Sequence, residues 1–228
     1  MTMDTEKLIG RLAEAVEPVR PLPRPWTETA AWSAIAIPYI ALVVFVVSPR
    51  SDLVAKMLDS RFVIEQVAAL ATGIVAAATA FATTIPGYDR KFLLLPVLPL
   101  AVWLGSLGHG CAEQWIQFGP DGLSLQPDLF CLPAIVLVGA IPAIVIAVML
   151  RRGAPLTPHL TTALGGLAGA GLGNFGLRLF HDQDASLMVL VWQFGTVFML
   201  SALAGWAGHY LLNWHSITGI TRRKALIR

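Results

Sequence analysis

A chain of 228 residues that is 56% hydrophobic and only 13% charged, with a mean hydropathy of +0.68, is too apolar to be a soluble domain, since soluble domains carry roughly twice that charged fraction. The apolar residues therefore face lipid, and the chain reads as an all-α, polytopic membrane bundle. A net charge of only +2, with the basic residues dispersed, gives no footing for direct nucleic-acid binding.

In chain order, residues 1–28 are no signal peptide, because Asp4 and Glu6 stand where positive charge belongs. Residues 4–17 form an amphipathic helix, with Leu8, Ile9, Leu12, Ala15 and Val16 on one arc and Glu6, Lys7, Arg11, Glu14 and Glu17 opposite. Pro18 ends it, and the alternating prolines from Val19 and Arg20 to Trp26 give an extended, stiff linker. Trp26 and Trp32 suit the aromatic belt at the bilayer entry. The arm carries four basic against five acidic residues, a net of −1. A helix meant for anionic lipid is basic, so this stripe suits a groove on a cytoplasmic protein better than the inner leaflet.

Six apolar runs follow, near 30–47, 62–85, 92–108, 130–150, 160–179 and 186–212, each close to the roughly 20 residues of a spanning helix. With the N-terminus inside, the inner segments hold twelve of the sixteen Lys and Arg residues and the outer loops three, with Arg178 at an outer helix end. Positive charge is retained inside, so the topology is N-in and C-in. The organisation is a cytoplasmic arm over 1–28, a six-helix membrane domain over 29–213 and a basic cytoplasmic tail over 214–228.

Pro38, Pro96, Pro99, Pro133 and Pro142 fall inside these spans and predict kinks. In the fifth span Gly165, Gly169 and Gly173 make a small-residue face that lets another helix approach, including one from a second copy or a membrane partner. Gly171, Gly173 and Gly176 also spell a dinucleotide-type motif, but no strand precedes them. Glu65 and Arg178 lie near helix ends, where their side chains can snorkel.

The stretch from His109 to Cys131 reads as an outer loop without a single lysine or arginine, and it holds both cysteines, Cys111 and Cys131. Outside the cytoplasm thiols can pair, and a disulfide closing a loop of this length contributes on the order of 3 kcal/mol. A static staple, two unpaired thiols and a thiol-reactive sensor all satisfy this pattern. His109, Cys111, Cys131 and His181 are also candidate ligands for a soft metal, though their spacing matches no closed zinc pattern. Paired carboxylates and a His-Glu-x-x-His motif are both missing, so no enzyme activity and no cofactor are expected. A transporter would need polar residues at midplane depth, and the spans supply almost none.

Several phrases, taken in order, resemble one bacterial family: Leu8-Ile9 to Leu12, Glu17-Pro18-Val19-Arg20, Asp59-Ser60-Arg61-Phe62, Cys131-Leu132-Pro133, Arg151-Arg152-Gly153-Ala154-Pro155, the glycine-rich fifth span, Trp192 and Leu212-Asn213-Trp214. Together they resemble the NrsF-type anti-sigma factors over essentially the whole length. The resemblance implies an inner-membrane inhibitor of an extracytoplasmic-function sigma factor. Leu8, Ile9, Leu12, Val16, Pro18, Val19 and Arg20 would engage the sigma factor, and an outside signal would release it. Members of the family are expected to carry a cysteine at Cys131 and another just after the fifth span. This chain departs from that pattern with His181-Asp182, leaving Cys111 as the other source of a thiol.

Overall fold

The structure, a computed structural model, describes residues 2–14, 23–119, 131–153, 155, 157–181 and 195–208. Among the described residues every regular element is helical: α1 (Thr2–Glu14), α2 (Pro25–Val47), the short α3 (Leu53–Lys56), α4 (Ser60–Ala82), a 3-10 turn (Arg90–Leu94), α5 (Val97–Phe118), α6 (Cys131–Leu150), α7 (Pro158–Phe180) and α8 (Gly195–Trp206). Val16, Pro18, Val19, Arg20, Asp182, Trp192 and the 214–228 tail lie outside the described residues, and of Cys131 only the backbone is described.

Local chemistry sets the starts. Proline opens α2 and α7, where its missing N–H would be unpaired anyway. The Asp59 carboxylate accepts from the Arg61 backbone N–H at 3.0 Å and caps α4. Asp89 does the same for Lys91 at 2.9 Å and starts the 3-10 turn.

Four stretches are long and apolar enough to cross a membrane: Pro25–Val47, Ser60–Ala82, Arg90–Gln117 and Pro133–Leu150. Helix α7 is 23 residues long, but its glycines dilute its hydropathy. The reason is its position, because α7 is the hub and packs against α2, α4, α6 and α8. A helix sheathed by helices rather than lipid needs closeness more than apolar bulk. Helix α8 has twelve described residues.

The contacts of α7 fix the helix directions. Against α4, Arg178 meets Glu65, Gly171 meets Gly73, and Thr161 meets Thr83. Numbers fall on one helix as they rise on the other, so the two run antiparallel. Against α6, Gly173 lies on Gly139, Gly169 on Ala143, and Gly165 on Ile146 and Leu150, again antiparallel. A Cβ added at Gly173 would stand 2.8 Å from the Ile135 carbonyl oxygen and 3.2 Å from the Gly139 Cα. The small-residue face at 165, 169 and 173 is therefore consumed inside the bundle, which corrects the expectation that it serves a second copy or another subunit.

The prolines also need correcting. Pro96 precedes α5, and Pro99 and Pro133 sit in first turns; among the described residues Pro38 and Pro142 are the ones inside helices. Pro142 cannot donate to Val138, and α2 stitches itself to α6 there. The Tyr39 hydroxyl donates to the Leu137 carbonyl at 2.8 Å, and the Trp32 indole N–H donates to the Pro142 carbonyl at 2.9 Å. Trp32 is fully buried in that seam, so it is a packing residue rather than part of an interfacial belt, while Trp26 is exposed.

The largest departure concerns the supposed outer loop. His109, Gly110, Cys111, Ala112 and Glu113 continue α5, which ends at Phe118 before Gly119, whose φ of +62° glycine adopts without strain. No proline interrupts 109–118, and the polar side chain of Glu113 has a partner on α4. A polar edge facing another helix reads in one dimension like a loop.

Candidate functional site

The antiparallel alternation brings the first turns of α4 together with the ends of α5 and α7 and the segment after α2. Charge collects there. Arg178 on α7 donates through Nη2 to Glu65 Oε2 on α4 at 2.9 Å, with both side chains over nine-tenths buried. Arg61, one turn before Glu65, places Nε 3.9 Å from its other oxygen and donates through Nη1 to Glu113 Oε2 on α5 at 2.6 Å. His109 Nδ1 lies 3.8 Å from Glu113 Oε1. One chain of opposite charges thus runs Glu113–Arg61–Glu65–Arg178 across three helices, with His109 beside its first member.

A third arginine lies beside this chain. Arg50 follows α2 and grips Asp52 with Nε at 2.5 Å and Nη2 at 2.8 Å, the two-pronged fork of a guanidinium on a carboxylate. That fork holds the Asp52 carboxyl below its ordinary range. Arg50 also donates to the His181 carbonyl at 3.4 Å, and its backbone N–H to the Leu179 carbonyl at 3.1 Å. The Arg50 and Arg178 guanidiniums both lie against the Phe62 ring, at 5.8 and 5.3 Å from its centroid.

Between α4 and α5 at this end opens a cleft of about 650 Å³. Asp59, Ser60, Arg61, Ser106, His109 and Glu113 supply its polar lining, and Ile64 and Val102 the apolar part.

The sequence-derived candidates divide. His109 and Cys111 share the last turns of α5; Cys111 is a half-buried free thiol within electrostatic reach of Arg61 and Glu65. Cys131 opens α6, and His181 ends α7, its N–H bonded to the Leu177 carbonyl at 2.9 Å. Among the described residues no group of three His, Cys, Asp or Glu side chains is placed to hold a metal. In the arm, Leu8, Ile9 and Leu12 are 57, 60 and 59% exposed along α1. The residues missed from sequence are Glu65 and Arg178, paired rather than snorkelling, together with Arg61, Arg50 and Asp52. Opposite charges at helix ends that alternation puts on one side were the available signal.

A family model described as NrsF, negative regulator of sigma F, matches residues 12–214. No curated protein matches the chain, and no solved structure does. The match runs from the end of the arm's apolar stripe through every helix from α2 to α8, so the chain belongs to the NrsF family of negative regulators of sigma F, a regulatory rather than an enzymatic class.

Proposed function

We propose that this chain is an inner-membrane anti-sigma factor that holds an extracytoplasmic-function sigma factor against the cytoplasmic face through the arm of residues 1–28. Six spans in an N-in, C-in arrangement carry the arm, and the basic tail of residues 214–228 lies on the same side. The family supports the negative regulation of a sigma factor. The distribution of Lys and Arg supports the topology.

The observation that carries the reading is the bare apolar stripe of α1. Leu8, Ile9 and Leu12 stand more than half exposed, with Glu6, Lys7, Arg11 and Glu14 around them. A helix of 13 residues is marginal in water, and burial of such a stripe in a partner's groove stabilises both the helix and the complex. Val16, Pro18, Val19 and Arg20 extend the same binding segment.

The signal enters at the opposite end, where the charged chain across α4, α5 and α7 lies beside His109 and Cys111, with Cys131 and His181 at neighbouring helix ends. Thiol oxidation and metal capture are the chemistries those four residues offer. A tenfold loss of sigma-factor affinity requires a difference of only about 1.4 kcal/mol between two packings of the bundle.

The test is a promoter reporter for the cognate sigma factor in living cells. The double substitution Leu8→Asp/Leu12→Asp is expected to give full, signal-independent expression while the protein still accumulates in the membrane. A reporter that stays repressed would remove the arm from the inhibitory role.

A further inference from the structure

Two amide side chains sit inside the bundle: Gln66 on α4 is 5% exposed and Asn174 on α7 is 2% exposed. Among the described residues no donor reaches Gln66 Oε1 or Asn174 Oδ1. Buried polar groups in folded proteins are almost always paired, because a carbonyl oxygen taken out of water without a donor is costly.

The two oxygens belong to one layer. Four residues before Asn174, Ala170 packs in a cluster with Ala68 and Ala69 of α4. Four residues after it, Arg178 meets Glu65. Asn174 therefore stands opposite the stretch from Glu65 to Ala69, which contains Gln66. On α4, Gln66 lies two turns before Gly73 and shares its face. A Cβ on Gly73 would meet backbone atoms of Ala168 and Leu172 on α7 at 3.2 and 3.3 Å. Both amides thus enter the α4–α7 seam at one depth. Each is six residues, or about 9 Å, from its helix end, Gln66 from Ser60 and Asn174 from Phe180.

Neighbouring donors are committed elsewhere. Arg178 holds Glu65 at 2.9 Å, and the Thr72 hydroxyl donates to the Ala68 carbonyl of its own helix at 2.7 Å. Lipid chains have no donor to offer. We infer that a buried water bridges α4 and α7 here, donating one O–H to Gln66 Oε1 and the other to Asn174 Oδ1. One water supplies the two donors that two lone carbonyls require, and such waters are integral parts of folded structures. The bridge ties the hub helix α7 to α4 in the layer just inside the Glu65–Arg178 pair. It does not depend on the anti-sigma reading.

The experiment uses the full chain in phosphatidylcholine proteoliposomes, isotope-labelled at its asparagine side chains. Asn174 and Asn213 are the asparagines of the chain, so the amide signal that survives Asn213→Ser is that of Asn174. Water-edited solid-state NMR reads the magnetisation passed from water to this amide. Transfer is expected in the wild type, and it falls about threefold or more in Gln66→Leu, which removes one of the two anchors of the water. If Gln66→Leu fails to fold, Gln66→Met takes its place, since a flexible thioether side chain fills irregular gaps. No transfer to Asn174 in the wild type overturns the proposal, and so does equal transfer in the wild type and the Gln66 variant. Because the readout needs no sigma factor, this failure and failure of the anti-sigma reading are separate events.

Discussion

Replacing Glu65 with leucine is expected to destabilise the folded bundle by about 3–5 kcal/mol, the usual cost of removing one partner from a buried ion pair. The carboxylate is an acceptor that Arg178 and Arg61 share, at 2.9 and 3.9 Å. Its loss leaves the guanidinium of Arg178 inside the bundle with the Phe62 ring but without this counter-charge. Arg178→Met costs less, because Glu65 keeps Arg61 beside it. The double variant Glu65→Leu/Arg178→Met recovers most of the loss, since a well-packed apolar pair often matches a buried ion pair in stability. Denaturation of the purified protein in mixed micelles gives the four corners of the cycle. Single variants within about 0.5 kcal/mol of wild type, the range of an ordinary surface substitution, would show that water screens this pair.

The second large effect concerns two glycines with opposite outcomes. Gly173→Ala is expected to cost about 1–3 kcal/mol, the range for overpacking, because the new methyl meets backbone atoms of α6 at 2.8 and 3.2 Å and neither can rotate away. Gly173→Leu forces α6 and α7 apart and abolishes the folded state. Gly105→Ala on α5 meets nothing within 4 Å, so it gains about 0.5–1 kcal/mol from helix propensity alone. The same thermal or detergent unfolding assay reads all three. An equal response at the two positions would mean that α6 and α7 do not approach as closely as Gly139, Gly169 and Gly173 indicate.

What was legible in the sequence follows from what a one-dimensional pattern can hold. Apolar runs bounded by proline, aspartate and charge place α2, α4 and α6 within a few residues, because lipid demands apolar length and caps demand specific residues. The apolar stripe of α1 is equally plain, since its spacing is local. The end of α5 was not, because Glu113 is polar for a reason that lies 52 residues away at Arg61. Glu65 and Arg178 are 113 residues apart, and nothing in either neighbourhood names the other. The glycine face shows the converse: the periodicity announces a close helix contact but not which helix makes it. Trp32 likewise belongs to the α2–α6 seam, a fact carried by Pro142 rather than by its own surroundings.

The arm, and not the bundle, is proposed to hold the sigma factor. The most direct measurement is an affinity pull-down from native membranes, with the full-length chain beside a version lacking residues 2–14, the whole of α1. A sigma factor recovered with the first and absent from the second is the predicted result. A sigma factor recovered equally with both would place its binding surface elsewhere on the bundle and contradict the account.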